Sequence, residues 1–168
     1  MLSYRKNSNQ VMITNRVSRY QIKKNRLERI VRNLLGQLGY RRTLLSLVFV
    51  SDDRLKCLNQ KYLNHAWNTD VLAFSFRPVL QNRRRNKAEV SSTREAPRFL
   101  GELVISPQRA EVQAKHFQVP LQEELMRYVC HGILHLSGFS DQTKHERERM
   151  RRAENRLLNR AVGFQSVV

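Results

Sequence analysis

The sequence predicts an α+β protein in which helices pack on a small mixed β-sheet. Short apolar segments rich in β-branched and aromatic residues predict strands, and longer segments with apolar residues every three or four positions predict helices. These segments follow one another as strand, helix, strands and helices, an order that favours one sheet with helices packed on it. A chain of 168 residues can form a core of its own, so we expect a single domain over residues 1–168.

The N-terminal part is predicted to contain one short strand and one long helix. The strand is expected at residues 11–13, VMI. From Ser18 the pattern is helical, and Gly36 and Gly39 mark the end of the helix. Basic residues crowd its first turns and occupy its outer face, where they meet either solvent or RNA: Arg19, Lys23, Lys24, Arg26, Arg29 and Arg32.

Two more strands and a helix are predicted next. Residues 44–50, LLSLVFV, form a continuous apolar run that is typical of a strand covered on both faces. Ser51 and the two aspartates after it can cap a helix that continues to Tyr62. Residues 69–76, TDVLAFSF, alternate in polarity and therefore predict a strand with two different faces.

Residues 77–98 interrupt the regular pattern with prolines and the basic run Arg83–Arg85. We interpret this segment as a mobile basic insertion between strands of one sheet. It serves either as a solubilising loop or as an arm that contacts phosphates. Beyond it, residues 99–106 predict a strand, and Pro107 suits the first turn of a helix that ends near residue 117.

The rest of the chain is predicted to be helical. Pro120 opens a helix over residues 121–136, and Thr143 with Glu146 three residues later predicts a capping box for a last helix that reaches roughly residue 160. The helix at 121–136 has an apolar core side. A different side carries Glu124, Tyr128, His131 and His135.

The end of that helix carries the residues of a candidate metal site. His131 and His135 lie one turn apart on one face, so their imidazoles can share one metal ion. Gly138 permits the left-handed residue that ends such a helix, and Asp141 follows at the spacing of a third ligand. Three protein ligands leave one coordination position for water or substrate.

Some of these residues, and other histidines of the chain, have alternative roles. Asp141 could cap the last helix, but Thr143 can fill that role and leave the carboxylate free. His145 is an alternative third ligand, whereas His65 and His116 stand alone and are expected at the surface or in packing. Metalloproteases have a glutamate directly after the first histidine as general base, and glycine at this position here disfavours a peptidase.

The charge of the chain predicts a polyanionic partner. It has 31 Lys and Arg against 14 Asp and Glu, a formal net charge of +17, which attracts nucleic acid, ribosomal RNA above all. No apolar run approaches the roughly 20 residues of a membrane span, and the N-terminus lacks the apolar stretch of a signal peptide, so we expect no membrane association and a cytoplasmic protein. Cys57 and Cys130 are then expected to be buried thiols.

Three motifs resemble those of the YbeY family of bacterial endoribonucleases and rRNA maturation factors. They are HGILHLSGF at 131–139, NTDVLAF at 68–74 and GELVI at 101–105, and the resemblance runs in matching order from about residue 44 to 150. It implies a zincin-like fold and a zinc-dependent hydrolase of single-stranded RNA. It also implies action in 16S rRNA 3′-end maturation and in late assembly and quality control of the small ribosomal subunit. One Zn²⁺ would be held by His131, His135 and Asp141.

The chain departs from the family pattern at two positions. Asp141 stands where most members have a third histidine, which lowers the formal charge of a zinc site from +2 to +1 and weakens the ion as a Lewis acid. Leu63 stands where most members have an arginine thought to serve RNA binding or catalysis. Leu63 favours an alternative hypothesis: a non-catalytic assembly factor that binds rRNA or a ribosomal protein, with a structural zinc or none. Glu102 and Asp70 are candidates for orienting a ligand or the sheet edge, and the general base is unassigned.

Overall fold

The fold is described from a computed structural model for residues 8–63, 69–75 and 98–161, excluding the side chain of Leu63. Within these residues the chain forms four strands and five helices. In chain order they are β1 (Gln10–Asn15), α1 (Lys24–Gln37), β2 (Thr43–Phe49), α2 (Asp52–Leu63), β3 (Val71–Ser75), β4 (Arg98–Ile105), α3 (Pro107–Phe117), α4 (Leu121–Leu136) and α5 (Lys144–Arg160).

The strands form one mixed sheet in the order β1-β2-β4-β3. β1 and β2 are parallel, as are β2 and β4, whereas β3 runs antiparallel to β4. The crossover through α1 explains the first parallel pair, because two parallel strands cannot be joined by a tight turn. The predicted α+β class with a mixed sheet is confirmed. Among the described strands, β3 lies at one edge of the sheet.

Strand β4 has a bulge at the point where β3 and the end of α4 come close to it. Leu44 pairs with Phe99 and Leu45 with Gly101, so one residue of β4 is skipped in the register. A Cβ atom on Gly101 would lie 2.4 Å from the carbonyl oxygen of Phe74 and 2.7 Å from a methyl group of Leu136. Glycine at this position therefore allows β3, β4 and α4 to approach one another.

Helix α4 is the most buried helix of the described chain. Its core side contains Leu125, Val129, Ile133 and Leu136, as predicted, but Glu124 and Tyr128 are buried as well, at 4% exposure each. The last two were predicted on the side of the histidines, away from the core. A Cβ on Gly132 would lie 2.7 Å from a methyl group of Leu103 in β4, so this position faces the sheet and has no room for a glutamate.

Helix α1 begins at Lys24, six residues later than the sequence predicted. The Asn15 side chain accepts a hydrogen bond from the Val17 amide (3.0 Å) and donates one to the Tyr20 carbonyl (2.7 Å), which holds the preceding segment in a turn. The basic residues Arg19 and Lys23 therefore precede the helix, contrary to the prediction.

Other predictions about the elements had mixed outcomes. The strand at residues 11–13 is confirmed within β1, and the β2 run alternates between fully buried and half-buried residues instead of being equally covered on both faces. Cys130 is buried as predicted, but Cys57 is exposed, so that prediction was wrong. The predicted insertion at 77–98 lies outside the described residues, except for Arg98, which begins β4. No helix in the described ranges is long and apolar enough to cross a bilayer.

Candidate metal centre

The two histidines of α4 and the turn after the helix bring three donor atoms together. The Nε2 atoms of His131 and His135 lie 2.8 Å apart. Gly138 has a φ of +92°, the left-handed conformation that turns the chain back at the helix end. This turn places Oδ2 of Asp141 3.8 Å from Nε2 of His131 and 3.6 Å from Nε2 of His135.

The opposite nitrogen of each imidazole is held by an acceptor. Nδ1 of His131 lies 2.5 Å from Oε1 of Glu154, and Nδ1 of His135 lies 3.1 Å from the carbonyl oxygen of Phe139. A carbonyl or carboxylate oxygen can only accept, so both Nδ1 atoms carry a proton. In the neutral imidazoles the Nε2 lone pairs therefore point toward each other and toward Asp141, the arrangement of a metal-binding histidine pair with outer partners.

These donors fit a small divalent cation. The described residues contain one group of three His, Cys, Asp or Glu side chains able to hold a metal, His131, His135 and Asp141, with ligand atoms within 4.8 Å of one another. Ligands about 2.0–2.1 Å from a tetrahedral zinc ion stand about 3.3 Å apart, close to the mean of the three separations. A shared proton would satisfy the two nitrogens only, whereas a metal ion uses all three donors.

The surroundings of His135 favour its neutral form. Burial lowers the pKa of this imidazole, and the neighbouring His131 lowers it further, while Asp141 and the Phe139 carbonyl act in the opposite direction. A neutral imidazole is the form that ligates a metal. The lowered pKa therefore favours the form of His135 that can bind a metal ion near neutral pH.

The turn that carries Asp141 is fixed by the start of α5. Thr143 accepts a hydrogen bond from the Glu146 amide (3.2 Å), and its own amide donates to the Glu146 carboxylate (2.9 Å), the predicted capping box. Arg147 donates to the carbonyl oxygens of Asp141 (3.2 Å) and Gln142 (2.7 Å). Asp141 is thus spared the capping role and its backbone is held in place.

Glu154 belongs to this site and was missed in the sequence. Its side chain is 11% exposed because α5 packs against α4, and it accepts from His131 across 23 residues of chain. One signal was present: Glu154 occupies the stripe of α5 whose other members are the buried Met150, Ala153, Leu157 and Leu158. A carboxylate in a buried stripe needs a partner.

The remaining candidates lie elsewhere or contact other groups. His145 is exposed on α5 and lies outside the three-residue group, and His116 is exposed as expected. His65 lies outside the described residues. Glu102 accepts a hydrogen bond from Ser46 on β2 (2.8 Å), which ties two strands of the sheet together.

Asp70 borders the site at the start of β3. Packing of the protein around its carboxyl group raises its pKa even though part of the residue is exposed, and the charges of Arg109 and His131 oppose that rise. Its carboxyl group therefore lies near His131, one of the three donor residues. The assigned role, orienting a ligand or the sheet edge, stays a prediction.

Two hollows in the surface meet at His131 and Asp141. One, of about 540 Å³, lies between the end of α4 and the edge strand β3 and is lined in part by Asp70, His131, His135 and Asp141. The other, of about 420 Å³, lies along the first turns of α5 and includes His131, Asp141, Lys144, Arg147 and Arg151. Within the described part of the chain, the donor group therefore borders a hollow on either side.

Comparison with known proteins identifies the family. The protein-family model described as "Endoribonuclease YbeY" matches residues 12–162. The chain belongs to the YbeY family. This YbeY-family chain is 32% identical to the endoribonuclease YbeY of Bacteroides fragilis over 124 residues, which cover 74% of the chain and 72% of the relative. It is 32% identical to that of Phocaeicola vulgatus over 137 residues, covering 82% and 87%.

More distant relatives extend the match along the YbeY domain. The endoribonuclease YbeY of Syntrophus aciditrophicus is 29% identical over 156 residues, or 92% of this chain and 91% of the relative. The solution structure of TM1509 from Thermotoga maritima superimposes with a TM-score of 0.54 at 24% identity, covering 91% of this chain and 89% of that one, and supports the fold. The predicted family is confirmed, and the relatives' names favour the endoribonuclease over the non-catalytic assembly factor.

Proposed function

We propose that this YbeY-family protein is a zinc-dependent endoribonuclease that cleaves single-stranded RNA. The observation that carries the proposal is the convergence of His131 Nε2, His135 Nε2 and Asp141 Oδ2 at the junction of two open hollows. Three protein donors with an open side are typical of a catalytic zinc site, whereas structural sites are closed by four protein ligands. The family and the charge of +17 both favour RNA as the substrate.

The residues of the site would have separate roles in such a reaction. Bound zinc would lower the pKa of a water molecule and polarise a phosphodiester oxygen. His131, His135 and Asp141 hold the ion, while Glu154 and the Phe139 carbonyl fix the tautomer and direction of the two imidazoles. The basic side chains on α5 attract the phosphate backbone toward these donors.

The cellular substrate that we propose is ribosomal RNA. In this proposal the protein acts on 16S rRNA near its 3′ end, during maturation and quality control of the small ribosomal subunit in the cytoplasm. Support comes from the family and from the excess of 17 positive charges, since ribosomal RNA is the most abundant polyanion that such a surface meets.

The decisive test replaces one ligand histidine. His131→Ala should lose bound zinc, and cleavage of a single-stranded RNA should fall by more than about 100-fold, because loss of a direct ligand should exceed the 10–100-fold cost of losing an outer partner. Zinc content is measured on the purified protein, cleavage on a labelled RNA, and folding by thermal melting. Val112→Ala, a change at an exposed side chain of α3 outside the site, is the control. A folded His131→Ala protein that keeps stoichiometric zinc would contradict the proposal.

A further inference from the structure

A third hollow continues the groove beyond the metal centre. It measures about 420 Å³ and is lined by residues from the end of α3, from α4 and from α5, among them Phe117, Arg127 and Arg151. It shares Arg151 and Glu154 with the hollow along α5, which in turn shares His131 and Asp141 with the hollow beside β3. The hollow along α5 and this third hollow together form what we call the α5 channel, which leads from the donor group to the end of α3.

Positive charge along this channel is available for a ligand. Lys144 and Arg151 are exposed, and the structure records no ion pair for either among the described residues. Arg147 is occupied by the carbonyl groups of the Asp141 turn. Both basic side chains therefore stay free to contact phosphate within reach of the donors.

The acidic groups of the channel are mostly engaged within the protein. Glu154 contacts His131, and Glu124 lies 3.5 Å from the guanidinium of Arg127. Burial also raises the pKa of Glu124. Glu148 is the exposed carboxylate among the described residues that line the hollow along α5, apart from the ligand Asp141. Along the α5 side of the donors, Lys144, Arg147 and Arg151 thus outnumber the exposed Glu148.

An exposed aromatic ring borders the far end of the channel. Phe117, the last residue of α3, is 60% exposed, and its ring meets His116 edge to face with centroids 4.9 Å apart. The face of such a ring is a stacking platform for a nucleobase. A basic groove combined with an exposed aromatic ring is the usual composition of a single-strand binding path.

We propose that the α5 channel is the path of the RNA strand on one side of the cleavage site, with Lys144 and Arg151 contacting phosphates and Phe117 stacking on a base. The inference rests on the proposed function, since it names the surface that this nuclease uses to hold its substrate. Single-stranded RNA fits better than a protein partner because the channel joins free cations to an aromatic ring.

The test measures RNA binding separately from cleavage. Full-length protein is kept in a chelator so that the RNA stays intact, and fluorescence anisotropy of a labelled single-stranded RNA gives the affinity. Phe117→Ala should weaken binding about tenfold, the loss expected for one stacked base, whereas Phe117→Trp should retain it. Arg151→Ala should reduce the slope of log K against log salt by about 0.7, the effect of one phosphate contact on a single strand.

Matched controls lie on the same two helices. Val112→Ala removes an equally exposed apolar side chain from α3, and Arg152→Ala removes the exposed arginine next to Arg151, about 100° around α5. Neither residue lines the α5 channel. Both control variants should bind RNA like the wild type, and thermal melting should show all variants folded.

The outcomes separate this inference from the proposed function. If Phe117→Ala and Arg151→Ala bind RNA like the two controls while the zinc-loaded wild type cleaves it, the channel assignment is overturned and the nuclease stands. If both variants lose affinity as expected but the zinc-loaded wild type cleaves no single-stranded RNA, the binding path stands and the proposed reaction fails. Loss of binding to a protein partner, with RNA affinity intact, would also overturn the assignment.

Discussion

The two carboxylates beside His131 belong to different parts of the fold and face opposite nitrogens of the ring. Asp141 lies on the turn after α4, its side chain 43% exposed, with Oδ2 on the Nε2 side of the ring. Glu154 lies in the middle of α5, 11% exposed, with Oε1 on the Nδ1 side. In the proposed site the same functional group would thus act as a ligand in front of the imidazole and as an anchor behind it.

The difference follows from where each carboxylate is attached. A residue on a turn can adjust to an incoming ion, and Asp141 has its backbone held by Arg147 while its side chain is 43% exposed beside the two imidazoles. A residue on a packed helix cannot move far, so Glu154 fixes the imidazole before an ion arrives. The exposed turn that carries Asp141 lets the site admit substrate. The packed helix that carries Glu154 keeps the imidazole oriented toward the metal.

The largest effect is expected when the front carboxylate is removed. Asp141→Ala should weaken zinc binding by more than about 100-fold, since it deletes a direct ligand and not an outer partner. Asp141→His should restore binding and raise the formal charge of the zinc site from +1 to +2, which makes the ion a stronger Lewis acid. Competition with a chelating indicator measures both affinities. Zinc binding by Asp141→Ala equal to that of the wild type would remove Asp141 from the ligand set.

A smaller effect is expected when the rear carboxylate is changed. Glu154→Gln keeps an oxygen that can accept from His131 but removes the charge, and we expect zinc affinity to fall by roughly 10- to 100-fold. Glu148→Gln, on the same helix and beside the same hollow, is the control and should leave the affinity unchanged. The same competition assay applies. If the two variants behave alike, Glu154 is an ordinary packing residue and the contrast between the carboxylates disappears.

The sequence predicted the three donor residues of the site but not Glu154. The donors lie close together along the chain, whereas Glu154 is distant from them in sequence. His131, His135, Gly138 and Asp141 lie within eleven residues, so helix periodicity and turn chemistry are enough to place them together. Glu154 reaches His131 only through the packing of α5 on α4, which no spacing rule predicts. A local pattern predicts local geometry, and tertiary contacts need the fold.

The same distinction explains the errors in the predicted elements. Apolar periodicity located the strands and helices, but the turn that delays α1 depends on hydrogen bonds of one side chain, that of Asn15. The exposure of Cys57 depends on which face of α2 packs on the rest of the molecule. The order of the strands, with β4 between β2 and β3, likewise follows from crossovers that periodicity does not specify.

The smallest effect on zinc affinity is expected from a change on the buried side of α4, away from the ligand side. Gly132→Ala adds a methyl group 2.7 Å from the fully buried Leu103, and such overpacking should lower the free energy of unfolding by about 1–3 kcal/mol. Gly36→Ala, in α1 with nothing within 4 Å of the new atom, should instead raise it by roughly 0.5–1 kcal/mol. Chemical denaturation measures both. Zinc affinity of the folded Gly132→Ala protein should stay unchanged, because position 132 faces the sheet while His131 faces the donors. A variant with full stability and reduced zinc affinity would show that position 132 acts on the ligand side, contrary to the division of α4 into two sides.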